Sequence, residues 1–189
     1  SAVDFSDKLL ISIAAGISTE RLNALIPSMK SIVRVMPNTP ALVGEGMAGL
    51  FAPKNTSENY RTFSQDLLGA VGRTVWVDDE TQMHAVTAAS GSSPAYFFLM
   101  LEAMQQALIK MNIDEKTARE LVQQSMLGTA KMVIENPQIA LSTLRENVTS
   151  KGGATAAALA VFDAQHFNQT IEQAMQACLS RSQEMETLF

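Results

Sequence analysis

The sequence predicts an α/β segment followed by an all-α segment in one chain. In the first part, short apolar runs of strand length alternate with helical patterns, which is typical of a sheet built from βαβ units. In the second part, every long segment repeats its apolar residues at spacings of three and four, the period of an amphipathic helix. We therefore expect a sheet domain over residues 1–79 and a helical domain over residues 80–189.

Four apolar runs predict the strands of the sheet, at residues 9–13, 32–35, 47–52 and 74–77. Ser18 and Thr19 offer an N-cap for a helix after the first strand. A second helix is expected from about residue 57 to residue 71, where Gly72 ends it. Strands and helices in this order favour parallel βαβ connections.

Four long helices are predicted after residue 80. Pro94 fits the first turn of the first helix, which small polar residues precede. Asp114 is expected to cap the second helix, which the pair Asn136-Pro137 ends. The last two helices are expected at residues 155–163 and 167–186.

The first long helix is apolar on more than one face. The chain also contains 11 methionines, whose flexible side chains suit irregular contacts. A helical unit of this size cannot cover so much apolar surface by itself, so we expect another chain to cover it. The simplest partner is a second copy, in a homodimer or a larger homo-oligomer.

Composition excludes several classes of protein. The net charge is −5 and no basic cluster occurs, so no nucleic-acid partner is expected. No apolar run is long enough for a membrane span, and the first residues do not resemble a signal peptide, which predicts a cytoplasmic protein. Cys178 is the one cysteine, and His84 and His166 lie far apart in the sequence, so no metal site is expected. A site for a small molecule remains.

Residues 148–155, Val-Thr-Ser-Lys-Gly-Gly-Ala-Thr, lie directly before a helix-forming run. The backbone amides of Gly153, Ala154 and Thr155, with the hydroxyls of Ser150 and Thr155, would form a nest for a small anion. The same residues also fit an ordinary helix start, with Thr155 as the cap and the glycines as a turn.

Small or polar residues also follow the first two strands. Ala14, Ala15 and Gly16 leave space for a ligand near the backbone. Asn38 and Thr39 stand between two prolines at the end of the second strand, where ligands bind in open α/β sheets. A turn made by the prolines and the asparagine is the alternative interpretation.

Four blocks, LLISIAAGIS, RVMPNTPALVGEG, AVTAASGSSPAYFF and NVTSKGGATAAALAVF, stand in an order and spacing that resemble the pyrroline-5-carboxylate reductases over essentially the whole chain. The resemblance implies that residues 1–79 are the C-terminal part of a Rossmann-type NAD(P)-binding domain. Residues 80–189 would be a substrate-binding and dimerisation domain similar to the C-terminal domain of 6-phosphogluconate dehydrogenases. The implied reaction is the last step of proline biosynthesis, in which NADPH or NADH reduces 1-pyrroline-5-carboxylate to L-proline.

The resemblance also implies roles for individual residues. Thr87 would be the catalytic residue, in contact with the ring nitrogen. The residues implied to bind the substrate are Glu80, Ser150, Gly153, Ala154 and Thr155. Those implied to bind the cofactor are Ala14, Ala15, Gly16, Asn38, Thr39 and Asn147.

Two departures from the family pattern lead to further expectations. Ser93 stands where the family usually has a glycine, which places a side chain near the start of the long helix. The family's first strands and glycine-rich turn would precede Ser1, so this chain alone is expected to bind NAD(P)H weakly and to be inactive. A non-catalytic dimerisation fragment and a related two-domain imine or hydroxy-acid reductase are the alternative functions.

Overall fold

The computed structural model describes residues 4–188 and divides them into two compact units. The first unit runs to Ala95 and includes the chain from Gln173 onward, and the second unit is Tyr96–Glu172. The sheet lies in the first unit, and the second is helical. The predicted fold class, a partial α/β sheet followed by helices, is confirmed, while the domain boundary at residue 80 stays a prediction.

The elements follow the predicted order, with a few additions. They are β1 Leu9–Ser12, α1 Thr19–Leu25, β2 Ser31–Met36, a 3-10 helix Thr39–Val43, β3 Gly46–Phe51, α2 Glu58–Gly69, β4 Gly72–Trp76, α3 Gln82–Val86, a π-helical turn Thr87–Gly91, α4 Ser93–Lys110, α5 Glu115–Glu135, α6 Leu141–Asn147, α7 Ala154–Ala164 and α8 Phe167–Leu188. The 3-10 helix, α3, the π-helical turn and α6 were not predicted, because each is too short to show a periodic pattern of its own.

The four strands form one sheet in the order β1-β2-β3-β4. β1 is parallel to β2, and β3 is parallel to β4, but β2 and β3 are antiparallel. The expectation of parallel βαβ connections is therefore wrong between β2 and β3. A parallel pair needs a crossover of a dozen or more residues, whereas this connection holds two prolines and one short 3-10 helix. The chain turns back at Gly44, whose φ is 78°.

Apolar side chains pack on both faces of the sheet. On one face, Val33 and Val35 join the cluster that includes Leu68 of α2. On the other face, Ile32 packs with Leu22 of α1. Because side chains alternate along a strand, Arg34 shares the face of Ile32. A charged side chain is thus buried on the α1 side of the sheet.

Short polar side chains begin the predicted helices. The Ser18 hydroxyl accepts a hydrogen bond from the amide of Arg21 at the start of α1. The Asp114 carboxylate accepts one from the amide of Thr117 at the start of α5, as predicted for both caps. Hydrogen bonds from Thr117 hold the pKa of Asp114 below its usual value.

The helical unit buries very little apolar surface of its own. Among its described residues, Ala118 and Val122 are the buried hydrophobic side chains. By contrast, Phe98 is 64% exposed and Leu99 is 67% exposed, and further large apolar side chains are exposed along α4, α5 and α7. Two small buried residues contribute little to the stability of a helical unit of this size, and most of its large apolar side chains are exposed in the single chain.

No helix in the part of the chain that the structure describes is both long and apolar enough to cross a membrane.

We expect Gly16→Ala to destabilise the protein more than Gly44→Ala. Both glycines have a left-handed φ, 71° and 78°, which costs an alanine about 1 kcal/mol. A Cβ at Gly16 would in addition lie 2.9 Å from Cβ of Met185, whereas a Cβ at Gly44 meets nothing within 4 Å. Urea unfolding of both variants measures the difference, and equal losses would show that α8 does not pack against Gly16.

Candidate active site

The first unit contains a buried polar cluster centred on Arg34, whose side chain is 4% exposed. One guanidinium nitrogen, Nη1, lies 2.6 Å from Oε1 of Glu80 and 3.3 Å from Oε1 of Glu186. A buried charge is stable only when partners compensate it, and two carboxylates do so here. The cluster joins β2, the segment before α3 and the end of α8.

Glu80 also holds the start of α1. Its carboxylate accepts hydrogen bonds from the Thr19 amide at 2.7 Å and from the Thr19 hydroxyl at 2.6 Å. A carboxylate at this position also stabilises the positive end of the helix dipole. Glu80 was expected to bind the substrate, and this role stays a prediction. In the structure its carboxylate accepts three hydrogen bonds, two from Thr19 and one from Arg34.

His84 on α3 extends the cluster to α8. Its Nδ1 lies 2.9 Å from the Ser182 hydroxyl, and its Nε2 lies 2.8 Å from Oε2 of Glu186. His84 is 5% exposed, so its ring serves the packing of α3 against α8. We name Arg34, Glu80, Glu186, Thr19, His84 and Ser182 together the Arg34 network.

The three small residues after β1 form the turn that leads into α1. Ala14 and Ala15 are exposed at the carboxyl end of the strand, while Gly16 is buried against Met185. Ligands of open α/β sheets bind at the carboxyl ends of parallel strands, and β1 is parallel to β2. The two alanines leave a shallow apolar surface there.

Asn38 and Thr39 follow β2 and differ in what their side chains contact. The Asn38 amide oxygen accepts a hydrogen bond from the Met47 amide at 2.8 Å, and the Asn38 amide nitrogen donates to the Ser90 carbonyl at 3.2 Å. Asn38 therefore fixes β3 and the π-helical turn. Thr39 is exposed, and its hydroxyl makes no hydrogen bond with other described residues.

Thr87 begins the π-helical turn, a type of helical irregularity that is frequent at functional sites. Its hydroxyl donates a hydrogen bond to the Met83 carbonyl at 2.8 Å. With its proton committed, the oxygen keeps its lone pairs to accept a hydrogen bond from a ligand. Ser93 lies near this turn, and its hydroxyl donates a hydrogen bond to the Ser90 carbonyl at 3.5 Å.

The other predicted residues of the helical unit lie at the start of α7 or shortly before it. Gly152 has a φ of 71°, and Gly153 is the N-cap without a side-chain hydrogen bond to the helix, so Thr155 is not the cap. The Gly153 amide donates to the Ser150 carbonyl at 3.0 Å. The amides of Ala154 and Thr155 make no hydrogen bond with described residues, which leaves them available to an anion.

The structure therefore places the predicted residues in two groups. The turn after β1, the pair after β2, Glu80 and Thr87 belong to the first unit, and residues 147–155 belong to the helical unit. Asn147 ends α6 and is exposed. Sequence reasoning missed Arg34, Ser182 and Glu186. A single arginine inside the apolar run Ile-Val-Arg-Val was the signal that a buried charge with partners lies on β2.

A partial α/β sheet with space at the carboxyl end of a parallel strand, joined to a helical unit without a core of its own, fits the class of two-domain dinucleotide-dependent reductases. The family model described as pyrroline-5-carboxylate reductase dimerisation matches residues 80–185. The pyrroline-5-carboxylate reductase of Haemophilus influenzae is 96% identical over 189 residues, which are 100% of this chain and 70% of the relative.

Two solved structures agree with this assignment. A pyrroline-5-carboxylate reductase from Coxiella burnetii has a TM-score of 0.90 and 34% identity, covering 96% of this chain and 69% of that one. A Plasmodium falciparum pyrroline carboxylate reductase with NADP bound has a TM-score of 0.88 and 33% identity, covering 96% and 72%. The chain belongs to the pyrroline-5-carboxylate reductase family, as the four sequence blocks predicted.

We expect Gly153→Ala to weaken the binding of L-proline by about tenfold, which corresponds to about 1.4 kcal/mol. A Cβ at Gly153 would collide with the Ser150 hydroxyl oxygen and displace it from the start of α7. Isothermal titration with L-proline measures the loss. Gly128→Ala is the matched control, because a Cβ on α5 at that position meets nothing within 4 Å. Equal affinity of both variants would argue against this loop as the binding site.

Proposed function

We propose that this protein is an NAD(P)H-dependent oxidoreductase that reduces 1-pyrroline-5-carboxylate to L-proline, the last step of proline biosynthesis. The observation that carries the proposal is identity of 96% over the whole chain with a pyrroline-5-carboxylate reductase. Groups in each unit agree with it. The start of α7 offers donors for a carboxylate, and the half-buried Thr87 hydroxyl offers an acceptor for a ring N–H.

The start of α7 is the proposed binding site for the substrate carboxylate. The free amides of Ala154 and Thr155 point out of the first turn, where the helix dipole adds about 0.3–1 kcal/mol for an anion. The hydroxyls of Ser150 and Thr155 supply two further donors. These groups carry no charge of their own, so binding of the carboxylate would not depend on their titration.

The turn after β1 and Thr39 are the proposed neighbours of the nicotinamide. The exposed methyl groups of Ala14 and Ala15 fit a flat ring, and the free Thr39 hydroxyl fits its carboxamide. Gly16 and Asn38 would support the nicotinamide site without side-chain contacts to the ring. Gly16 is packed against Met185, and the Asn38 side chain is hydrogen-bonded to Met47 and Ser90. Asn147 is the proposed cofactor contact in the helical unit. The cofactor, as NADPH or NADH, supplies a hydride when bound.

Thr87 is the proposed catalytic residue. A cyclic imine accepts a hydride readily once its nitrogen is protonated, and the reduced ring then keeps that proton on its amine. Because the Thr87 hydroxyl donates to the Met83 carbonyl, its oxygen can accept a hydrogen bond from the protonated ring nitrogen. Thr87 therefore stabilises the iminium, while the proton itself comes from water. Glu80 would contribute by fixing the position of Thr19.

A homodimer formed through the helical unit is the proposed assembly. Its exposed apolar surface supports the proposal, together with the match to a dimerisation family model that spans residues 80–185. The cytoplasm is the proposed location, since the reductant NAD(P)H is an intracellular cofactor.

We expect the full-length protein to oxidise NAD(P)H when 1-pyrroline-5-carboxylate is added, and Thr87→Val to lower kcat/KM by about 10- to 100-fold. The loss corresponds to one hydrogen bond to a charged group, about 1.5–3 kcal/mol. Thr87→Ser is the matched control, because it keeps the oxygen and should retain most of the activity. Absence of turnover in the wild type would contradict the proposed function, and full activity of Thr87→Val would contradict the role of Thr87.

We expect Phe98→Glu to shift the protein from dimer to monomer. Phe98 is 64% exposed in the single chain, and a carboxylate buried in an apolar interface costs several kcal/mol. Light scattering after size-exclusion chromatography measures the mass. Asn23→Glu introduces the same charge at an exposed polar position of α1, in the first unit, and should leave the mass unchanged. A Phe98→Glu variant with the wild-type mass would show that α4 lies outside the interface.

A further inference from the structure

We propose that Arg34 is a positioning residue for hydride transfer. Through Glu80 and Thr19 it holds the turn that carries Ala14 and Ala15, and through Glu186 and His84 it holds the helix that leads into Thr87. The inference rests on the proposed function, because it assigns Arg34 to the same reaction. Arg34 itself would touch neither substrate nor cofactor, since its side chain is 4% exposed.

Arg34 is the shared partner of two carboxylates that come from distant parts of the chain. Its Nη1 contacts Glu80 at 2.6 Å and Glu186 at 3.3 Å. The side chains of these glutamates are 22% and 28% exposed, so water screens them only in part. Without the guanidinium, two carboxylates would face each other across a partly buried space, and their repulsion would separate the elements that carry them.

One branch of the Arg34 network reaches the turn after β1. Glu80 binds both the amide and the hydroxyl of Thr19, the first residue of α1. Only Ile17 and Ser18 separate Thr19 from Gly16. Gly16 in turn packs against Met185, the neighbour of Glu186 on α8. The C-terminal end of the turn is therefore held at Gly16 and at Thr19 by groups whose positions depend on Arg34.

The other branch reaches Thr87. Glu186 contacts Arg34 with Oε1 and His84 with Oε2, so one carboxylate joins β2 to α3. His84 lies three residues before Thr87, about one helical turn away, and α3 continues directly into the π-helical turn. A shift of His84 would therefore move the Thr87 hydroxyl. An error of about 1 Å in such a position can lower a rate by about 100-fold.

Ser182, His84 and Glu186 are hydrogen-bonded in the same order as the serine, histidine and acid of a hydrolytic triad. Ser182 is 7% exposed and His84 is 5% exposed, so a substrate cannot reach the hydroxyl. The salt bridge between Glu186 and Arg34 further assigns this carboxylate to the network. The geometry is that of a buried support and not of a second active site.

The test compares Arg34→Met with the wild type in the full-length protein by two measurements. Hydrogen–deuterium exchange of a peptide covering residues 13–22 reports whether the Thr19 amide stays protected, without any cofactor. The kinetic isotope effect with 4-deuterated NADPH reports whether hydride transfer limits the rate. We expect faster exchange, a kcat lower by about tenfold or more, a KM for 1-pyrroline-5-carboxylate within about twofold, and a larger isotope effect on kcat.

A general loss of stability would lower the active fraction without raising the isotope effect, so this readout separates positioning from folding. Arg61→Met is the matched control. Arg61 is also an arginine of the first unit, and it stacks 4.3 Å from the centre of the Trp76 ring, outside the network. We expect this variant to keep the wild-type isotope effect and exchange rate. Arg34→Lys restores the charge and should recover part of kcat.

The outcomes distinguish the inference from the proposed function. Arg34→Met with wild-type exchange and isotope effect would overturn the inference. A wild type without turnover would contradict the proposed function, and the exchange measurement would still show whether Arg34 fixes Thr19. If Arg34→Met does not fold, Glu80→Gln tests the same branch, because it weakens the bond to Arg34 while keeping the shape of the side chain. A Glu80→Gln enzyme with an unchanged isotope effect and unchanged exchange would then overturn it.

Discussion

A guanidinium buried on β2 is the constraint on which the first unit depends. Arg34 lies in a strand whose neighbours Val33 and Val35 are apolar, and a charge at this position is stable only with partners. The partners come from the segment before α3 and from the last turns of α8. The last turns of α8 must therefore pack against the sheet to compensate the guanidinium.

The helical unit follows a different physical rule. With Ala118 and Val122 as the buried apolar side chains among its described residues, it has little internal stabilisation from burial. If a second copy covers the exposed apolar surface, as proposed, that burial would supply most of the free energy that holds the helices together. In the proposed homodimer, folding of this unit would be coupled to the association of two chains, and its stability would depend on protein concentration.

Local patterns in the sequence predicted the strands, the caps at Ser18 and Asp114 and a helix that begins after the two glycines before α7, because each of these features depends on neighbouring residues. The antiparallel pairing of β3 was missed, although the short connection after Met36 is visible in the sequence and leaves no room for a parallel crossover. The partners of Arg34 could not be predicted from local patterns either, because Glu80 is 46 positions and Glu186 is 152 positions away in the sequence. Short elements such as the π-helical turn at Thr87 carry no periodic signal.

The two proposed substrate contacts share one property that links the chemistry to the scaffold. The α7 amides are fixed dipoles, and the Thr87 hydroxyl accepts because its proton is held by the Met83 carbonyl. Neither contact changes its protonation state during the reaction, so neither can compensate for a misplaced ring by stronger acid–base catalysis. The rate then depends on how accurately the contacts are placed. A reductase of this kind needs a rigid support behind its active site, and the Arg34 network has the burial, the charge pairing and the connections to provide one.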